Sequence, residues 1–193
     1  MIHYKQIDRT SFELYDRIPM RVNVESYFKV EKLNRGLGGF LFIETPVEPY
    51  LKDFCKDNSE NAALWEKQFD IANWAFFMAF DEHHPVGACT VAARTKGVQM
   101  LEGREDLAVL WDIRVDDGYK RQGIGKKLFE LAAGWSRSQG YTQMKIECQN
   151  NNVPAVKFYH RQGAVLYAVN EYAYCKEPEF RHEIQLIWYL NLS

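Results

Sequence analysis

The sequence is poor in the features that would place it outside ordinary globular proteins. It has four cysteines in 193 residues, Cys55, Cys89, Cys148 and Cys175, and none stands in a CxxC pair. Four reduced thiols are expected, most of them packing residues. His83 and His84 lie beside Pro85 in an expected turn, but no further ligands follow at a fixed spacing, so no metal site is expected. No apolar run approaches the roughly 18 to 20 residues that a membrane span needs. Positive charge is not in excess: Lys and Arg total 24 against 26 Asp and Glu, a net charge of −2. That argues against a nucleic-acid partner. The first residues, MIHYKQIDRTSFELYD, lack the basic-then-apolar plan of a signal peptide, and a cytoplasmic chain is expected. No internal repeat or low-complexity tract is visible.

What is plentiful is apolar and aromatic surface, 47% and 15% of residues. The length allows one full core without a forced split. The aromatics suit a small-molecule pocket and suit a well-packed sheet equally. Residues 1–43 read as strands and short connections, with partial alternation in RVNVESYFKVEKL. Residues 44–70 carry seven acids, three bases and two prolines. Their first part is predicted as a loop and the part around Asn61 to Phe69 as a short helix. NWAFFMAF, DEHHP and VGACTVAAR read as strand, turn and returning strand. A polar turn over 95–106 leads to a third strand, LAVLWDIRV.

From there the rhythm becomes strand, helix, strand, helix, strand. Apolar residues at Ile124, Leu128, Leu131, Ala132 and Trp135 fall on one helical face, and Gly140 stops that helix. MKIEC is a strand. In NNVPAVKFYHRQG, Asn152 is a candidate N-cap, Pro154 sits in the first turn and Gly163 stands at the exit. AVLYAVNEYAY and IQLIWYLNL read as closing strands. Hairpins followed by βαβ units predict an α/β sheet of mixed direction.

The turn VDDGYKRQGIG joins the third strand to the first long helix. A helix start offers N–H groups without intrahelical partners and about half a positive charge, and phosphate fits there. Gly123 and Gly125 would keep side chains out of the way, while Lys120, Arg121, Lys126 and Lys127 add charge. The dinucleotide pattern GxGxxG fails because Leu128 replaces its third glycine. The P-loop pattern fails because Ile124–Gly125 replace its Lys–Ser/Thr. A tight connection with solvated lysines is the alternative reading of the turn taken alone.

Two motifs together narrow the choice. VDDGYKRQGIG resembles the coenzyme A turn of the GNAT acyltransferase superfamily, V-x-x-x-[YF]-[RQ]-x-x-G-x-[GA]. NNVPAVKFYHRQG resembles that family's N-x-x-A-x-x-[FL]-Y-x-x-x-G helix. They lie about 30 residues apart with the strand KIEC between them, covering roughly residues 107–167. Lys120 departs from the family's Arg or Gln. It keeps a charge and a donor but lacks the planar fork of Arg. More narrowly, WDIRVDDGYKRQGIG, IECQNNNVPAVKFYHRQG, IWYLNL and YFKVEKL…ETPVEPYLKDF are similar to the streptothricin acetyltransferases.

The resemblance implies a GNAT fold, with a mixed, mostly antiparallel sheet, central parallel splayed strands and flanking helices. It implies a single domain over 1–193, in which 1–106 holds N-terminal strands and a substrate loop, 107–167 binds acetyl-CoA and 168–193 closes the sheet. Acetyl-CoA is the implied co-substrate, without a metal. The backbone of Ile113, Arg114 and Val115 would pair with the pantetheine arm like an added strand. The pyrophosphate would take the N–H groups around Lys120, Arg121, Gln122, Gly123, Ile124, Gly125 and Lys126. Asn152, Ala155 and Tyr159 would face the cofactor from the second helix.

The implied reaction sets two proton problems. An alkyl amine has a pKa of about 10.4, so about one molecule in 2,500 is neutral at pH 7. A base must take its proton, and the departing thiolate must receive one. Tyr159 is the expected donor to sulfur. Asp112 and Glu147 are the candidate bases, since an ionisable group in an apolar strand is costly unless paired or used. Either could act directly, hold the cationic amine while water relays the proton, or be a structural pair. The expected acceptor is a primary amine on a small cationic molecule such as streptothricin, acetylated directly in a ternary complex; the acidic 44–70 segment could draw it or be an ordinary solvated loop. The alternatives are a protein or peptide N-acetyltransferase and a non-catalytic acetyl-CoA-binding module. A monomer or homodimer is expected, with neither nucleic acid nor membrane as a partner.

Overall fold

The computed structural model describes residues 1–56 and 60–192. In chain order the elements are β1 (Ile2–Ile7), α1 (Phe12–Tyr15), β2 (Arg21–Lys32), β3 (Phe40–Asp53), α2 (Ala62–Gln68), β4 (Ala75–Asp81), β5 (His84–Ala93), β6 (Leu107–Val115), α3 (Ile124–Ser138), β7 (Gln143–Gln149), α4 (Val153–Arg161), β8 (Val165–Asn170) and β9 (Gln185–Asn191). None of these helices is long and apolar enough to cross a membrane. The chain divides into two compact units. One is Met1–Arg21, Asp53–Ile146 and Tyr189–Ser193; the other is Val22–Lys52 and Glu147–Trp188.

The first unit holds a mixed sheet in the order β1-β4-β5-β6-β7. Its first three pairings are antiparallel and β6 with β7 is parallel. The apolar runs of β4 and β5 are buried almost throughout, as strands covered on both faces must be. One face carries an aromatic core. Trp74 and Trp111 lie with ring centroids 5.2 Å apart, and Trp65 meets Trp111 edge-on at 6.3 Å. Much of the aromatic content therefore packs a sheet. Ile124, Leu128 and Ala132 are buried as the helical periodicity of α3 predicts, with Leu131 and Trp135 half-buried. Gly87 on β5 sets how near α3 can come, because a Cβ there would lie 2.9 Å from Ile124 Cγ2 and 3.1 Å from Leu128 Cδ1. Gly140 takes φ +83° at the helix exit, a left-handed value that glycine adopts without strain.

The second unit contains the end of β7, then β9 and β8 in that order, and a separate two-stranded sheet of β2 and β3. Here two expectations are corrected. Residues 44–53, predicted as a loop, belong to β3. The two prolines misled, because a two-stranded sheet leaves outward backbone positions where a missing N–H costs no ladder bond. Residues 57–59 of the 44–70 segment lie outside the described residues, while the short helix expected near Asn61 is α2. The strand predicted through Tyr174 stops at Asn170, whose Oδ1 accepts from Tyr172 N at 3.0 Å and turns the chain. Helix α4 begins as predicted: Asn152 Oδ1 accepts from Ala155 N at 3.3 Å.

The four cysteines are free; Cys89 and Cys148 are buried, Cys55 is half-buried and Cys175 exposed. Only two of them thus pack the interior. Burial pushes the Cys148 thiol up from about 9 to about 12. An unfolded thiol loses its proton near pH 9, while the folded one keeps it until about pH 12. Between those values the unfolded state binds fewer protons, so stability falls as pH rises, by about 1.4 kcal/mol per pH unit for this group. Cys148→Ala is expected to flatten that decline by about this slope in urea unfolding curves from pH 8.5 to 10.5. Parallel curves for the two proteins would refute it.

Candidate active site

In the first unit, Asp116 ends β6 and bends the chain. Its Oδ1 accepts from Gly118 N at 2.9 Å, and its carbonyl accepts from Tyr119 N at 2.9 Å. The Lys120 ammonium is held by Asp117 and by the Arg21 carbonyl, both at 2.6 Å. Arg121 and Gly123 then take φ +63° and +86°. For Arg121 this conformation costs about 1 kcal/mol. The chain enters α3 at Gly123, whose carbonyl accepts from Lys127 N at 3.0 Å. Among the described residues, none of the N–H groups of Arg121 to Lys126 donates to a backbone carbonyl.

The space over this turn is open. A Cβ at Gly123 would meet nothing within 4 Å, and one at Gly125 only Val115 Cγ2 at 3.6 Å. Arg121, Gln122, Lys126 and Lys127 are exposed, and Glu130 stands 3.9 and 3.7 Å from the two lysines. Free donors, a helix start and unburied cations make an anion site, and a diphosphate fits it.

Strand β6 has two different edges. Toward β5 it is paired through Gly87↔Val115. Toward β7 the parallel register runs from Leu107↔Gln143 only to Leu110↔Ile146. Beyond Leu110 that edge, including Ile113 to Val115, carries no strand register among the described residues, so its polar groups are open to an added extended chain.

The side chains of Asp112 and Arg114 turn inward and are 0% exposed. Asp112 Oδ2 accepts from Arg114 Nε at 2.8 Å and from the Tyr15 hydroxyl, which also lies 2.8 Å from Thr90 Oγ1. Arg114 further donates to the carbonyls of Glu60 (2.7 Å) and Ile18 (3.3 Å). Burial opposes the guanidinium charge most strongly, but the Asp112 carboxylate and the Tyr15 and Cys55 groups together outweigh it and keep Arg114 protonated far beyond neutral pH. Burial first, then the Asp112 charge, raises the Tyr15 phenol well above 10. Among the described residues, Asp112 Oδ1 is buried without a partner.

The second unit holds Glu147, Asn152, Ala155 and Tyr159. Glu147 is half-buried, and its Oε1 accepts from the Tyr174 hydroxyl at 2.7 Å. Asn152, Ala155 and Tyr159 fall at helical spacing on one side of α4, and Tyr159 is buried at 6% exposure. Sequence reasoning missed the pair just before Asn152. Asn150 ties β7 to β2 and to the residue before β9, donating to Phe28 O at 3.0 Å and accepting from Ile184 N at 2.8 Å. Asn151 lines a cavity of about 350 Å³ together with Tyr27, Tyr50 and Glu183. Asparagines in a row before an N-cap were the only signal of it.

A model of the acetyltransferase (GNAT) family matches residues 43–164, more than half of the chain. The chain is 26% identical to a streptothricin acetyltransferase of Escherichia coli over 78% of this chain and 76% of that one. It is 24% identical to streptothricin acetyltransferase A of Bacillus subtilis (strain 168), over 74% and 73%. Among solved structures, a nourseothricin acetyltransferase superposes with a TM-score of 0.76 at 21% identity, covering 100% of this chain and 99% of that one. A Bacillus anthracis str. Ames protein in complex with acetyl coenzyme A superposes with 0.78 at 19% identity, over 99% and 97%. The open anion turn and the free edge of β6 accord with the family's co-substrate, and the chain belongs to the acetyltransferase (GNAT) family, as an acetyl-CoA-dependent N-acetyltransferase.

Proposed function

We propose that the protein acetylates a primary amine on a small cationic molecule of the streptothricin type, by direct transfer from acetyl-CoA in a ternary complex. The observation that carries the reading is the run of backbone N–H groups from Arg121 to Lys126 at the start of α3, without backbone acceptors among the described residues. They would hold the diphosphate, and the open edge of β6 at Ile113 to Val115 would take the pantetheine amides. Lys120 is already engaged by Asp117 and Arg21, so the exposed Arg121 and Lys126 carry the nearby charge. The streptothricin acetyltransferases among the relatives support the choice of acceptor. A cavity of about 350 Å³ suits a small molecule better than a polypeptide segment.

In this reading Tyr159 gives a proton or hydrogen bond to the departing coenzyme A sulfur. Glu147, directly or through water, takes the proton from the amine. Its carboxylate is half-buried and holds one hydroxyl donor on Oε1, which leaves acceptor capacity for an incoming proton. Asp112, closed off by Tyr15 and Arg114, keeps β6 in place.

The test is a thiol-release assay with acetyl-CoA and a panel of amines that includes streptothricin. Release with streptothricin well above release with peptides supports the reading, and release with peptides alone overturns it. A second measurement isolates the diphosphate site. Gly123→Val would strain a φ of +86° and crowd the open turn, so its acetyl-CoA KM is expected to rise about tenfold with kcat at saturation little changed. An unchanged KM would remove the turn from the binding site.

A further inference from the structure

The cavity in the second unit has a built polar floor. Asn151 and Glu183 are 5% and 4% exposed. Asn151 Nδ2 donates to Glu183 Oε1 at 2.9 Å and to the Tyr50 hydroxyl at 3.1 Å. A carboxylate only accepts, so the amide must turn its nitrogen toward Glu183. Both of its N–H groups are then used on one side, and Oδ1 is fixed on the other. That oxygen is buried and has no partner among the described residues. A buried acceptor left unmet costs about 1–3 kcal/mol, a cost that a ligand N–H would relieve.

The charges select the kind of N–H. Lys52 pairs with the other oxygen of Glu183, and both side chains are less than a tenth exposed. The carboxylate is thereby neutralised, and its orienting bond to Asn151 is secured. Asn151 lines the cavity together with Tyr27, Tyr50, His182 and Glu183. Aromatic faces attract a cationic amine. A neutral acceptor, unlike a bare carboxylate, does not raise the pKa of the amine it binds. This suits an amine that must lose a proton before it can attack a thioester.

We infer that Asn151 Oδ1 docks an amine N–H of the acyl acceptor in this cavity, and that Lys52 and Glu183 act through Asn151 as positioning residues. The inference rests on the reading of the protein as an acetyltransferase of a small cationic amine. The cavity, at about 350 Å³, lies at the small end of ligand sites and takes one amine-bearing arm of a larger molecule.

Two variants separate the oxygen from the rest of the side chain. Asn151→Leu and Asn151→Asp both lose the N–H groups that reach Glu183 and Tyr50, but only the aspartate keeps an acceptor. Binding of streptothricin and of lysine methyl ester would be measured by calorimetry without acetyl-CoA, and acetyl-CoA KM by thiol release. The leucine variant is expected to bind both amines about tenfold or more weakly, while the aspartate variant stays within about threefold of wild type and acetyl-CoA KM holds in both. Equal losses in the two variants overturn the assignment. So does a leucine variant whose acetyl-CoA KM rises while amine binding holds, because the cavity would then serve the pantetheine arm. Should the leucine variant fail to fold, a wild-type crystal soaked with streptothricin decides: a ligand nitrogen within about 3.2 Å of Oδ1 supports the inference, and an amine bound elsewhere overturns it. Amine binding that depends on Asn151 without any thiol release would sink the acetyltransfer reading and leave the docking site standing. Thiol release that ignores Asn151→Leu would do the reverse.

Discussion

Asp112→Ala is expected to cost about 3–5 kcal/mol of stability, the price of leaving a buried charge without its partner. The Arg114 guanidinium would stay 0% exposed, still tied to the Glu60 and Ile18 carbonyls, but without the carboxylate paired to it. Tyr15 would lose its acceptor on Asp112 and keep only Thr90. Asp112→Asn keeps the shape and an acceptor oxygen, so its cost should be well under that of alanine. Urea unfolding followed by circular dichroism gives both numbers. The order matters for function as well as for folding. A base must reach the proton it takes, and a carboxylate with no exposed surface offers no such reach. Folded Asp112→Asn should therefore keep most of its turnover, whereas Glu147→Gln should lose it. An alanine variant as stable as wild type with turnover down a hundredfold or more would instead make Asp112 the catalytic carboxylate.

The same residue shows how far the sequence could be read. An acid in the apolar run of β6 signalled a group that must be paired or used, but not which. One answer is local, Arg114 two positions on. The other partner, Tyr15, lies 97 residues away, and no periodicity reports that. The turn and the two helices were legible because their determinants are local: the apolar face of α3, the Asn152 cap and glycine at the helix exits all act within one or two turns. Strand β3 was obscured by two prolines and a cluster of acids, since composition cannot tell an open two-stranded edge from a loop. The Asn151 cavity was hidden for the reason that hid Tyr15. Its carboxylate is 32 residues away, and the lysine that neutralises it is 131 residues from that carboxylate. Local chemistry thus marked the turn proposed for the co-substrate, and long-range packing built the cavity proposed for the acceptor.

Tyr159→Phe is expected to lower kcat by about 10²–10⁴, the usual worth of a positioned acid or base, while acetyl-CoA affinity stays within about threefold of wild type. A coenzyme A thiol has a pKa near that of cysteine, about 8.5, so at neutral pH the leaving sulfur is better protonated or hydrogen-bonded than released bare. A phenol with an ordinary pKa of about 10 keeps its proton there and can supply it. The substitution is a fair probe because the ring carries the packing. Tyr159 is buried on α4 at 6% exposure, with its ring centroid 5.5 Å from that of Phe158, and phenylalanine fills the same space. Loss of the hydroxyl should cost stability by only about 1 kcal/mol. Steady-state thiol release gives kcat, and calorimetry with acetyl-CoA gives the affinity. A deficit in kcat alone identifies an interaction made as the carbon–sulfur bond breaks. A variant that turns over like wild type would move the proton to another group, and one whose acetyl-CoA binding collapses would make Tyr159 a wall of the binding site rather than its acid.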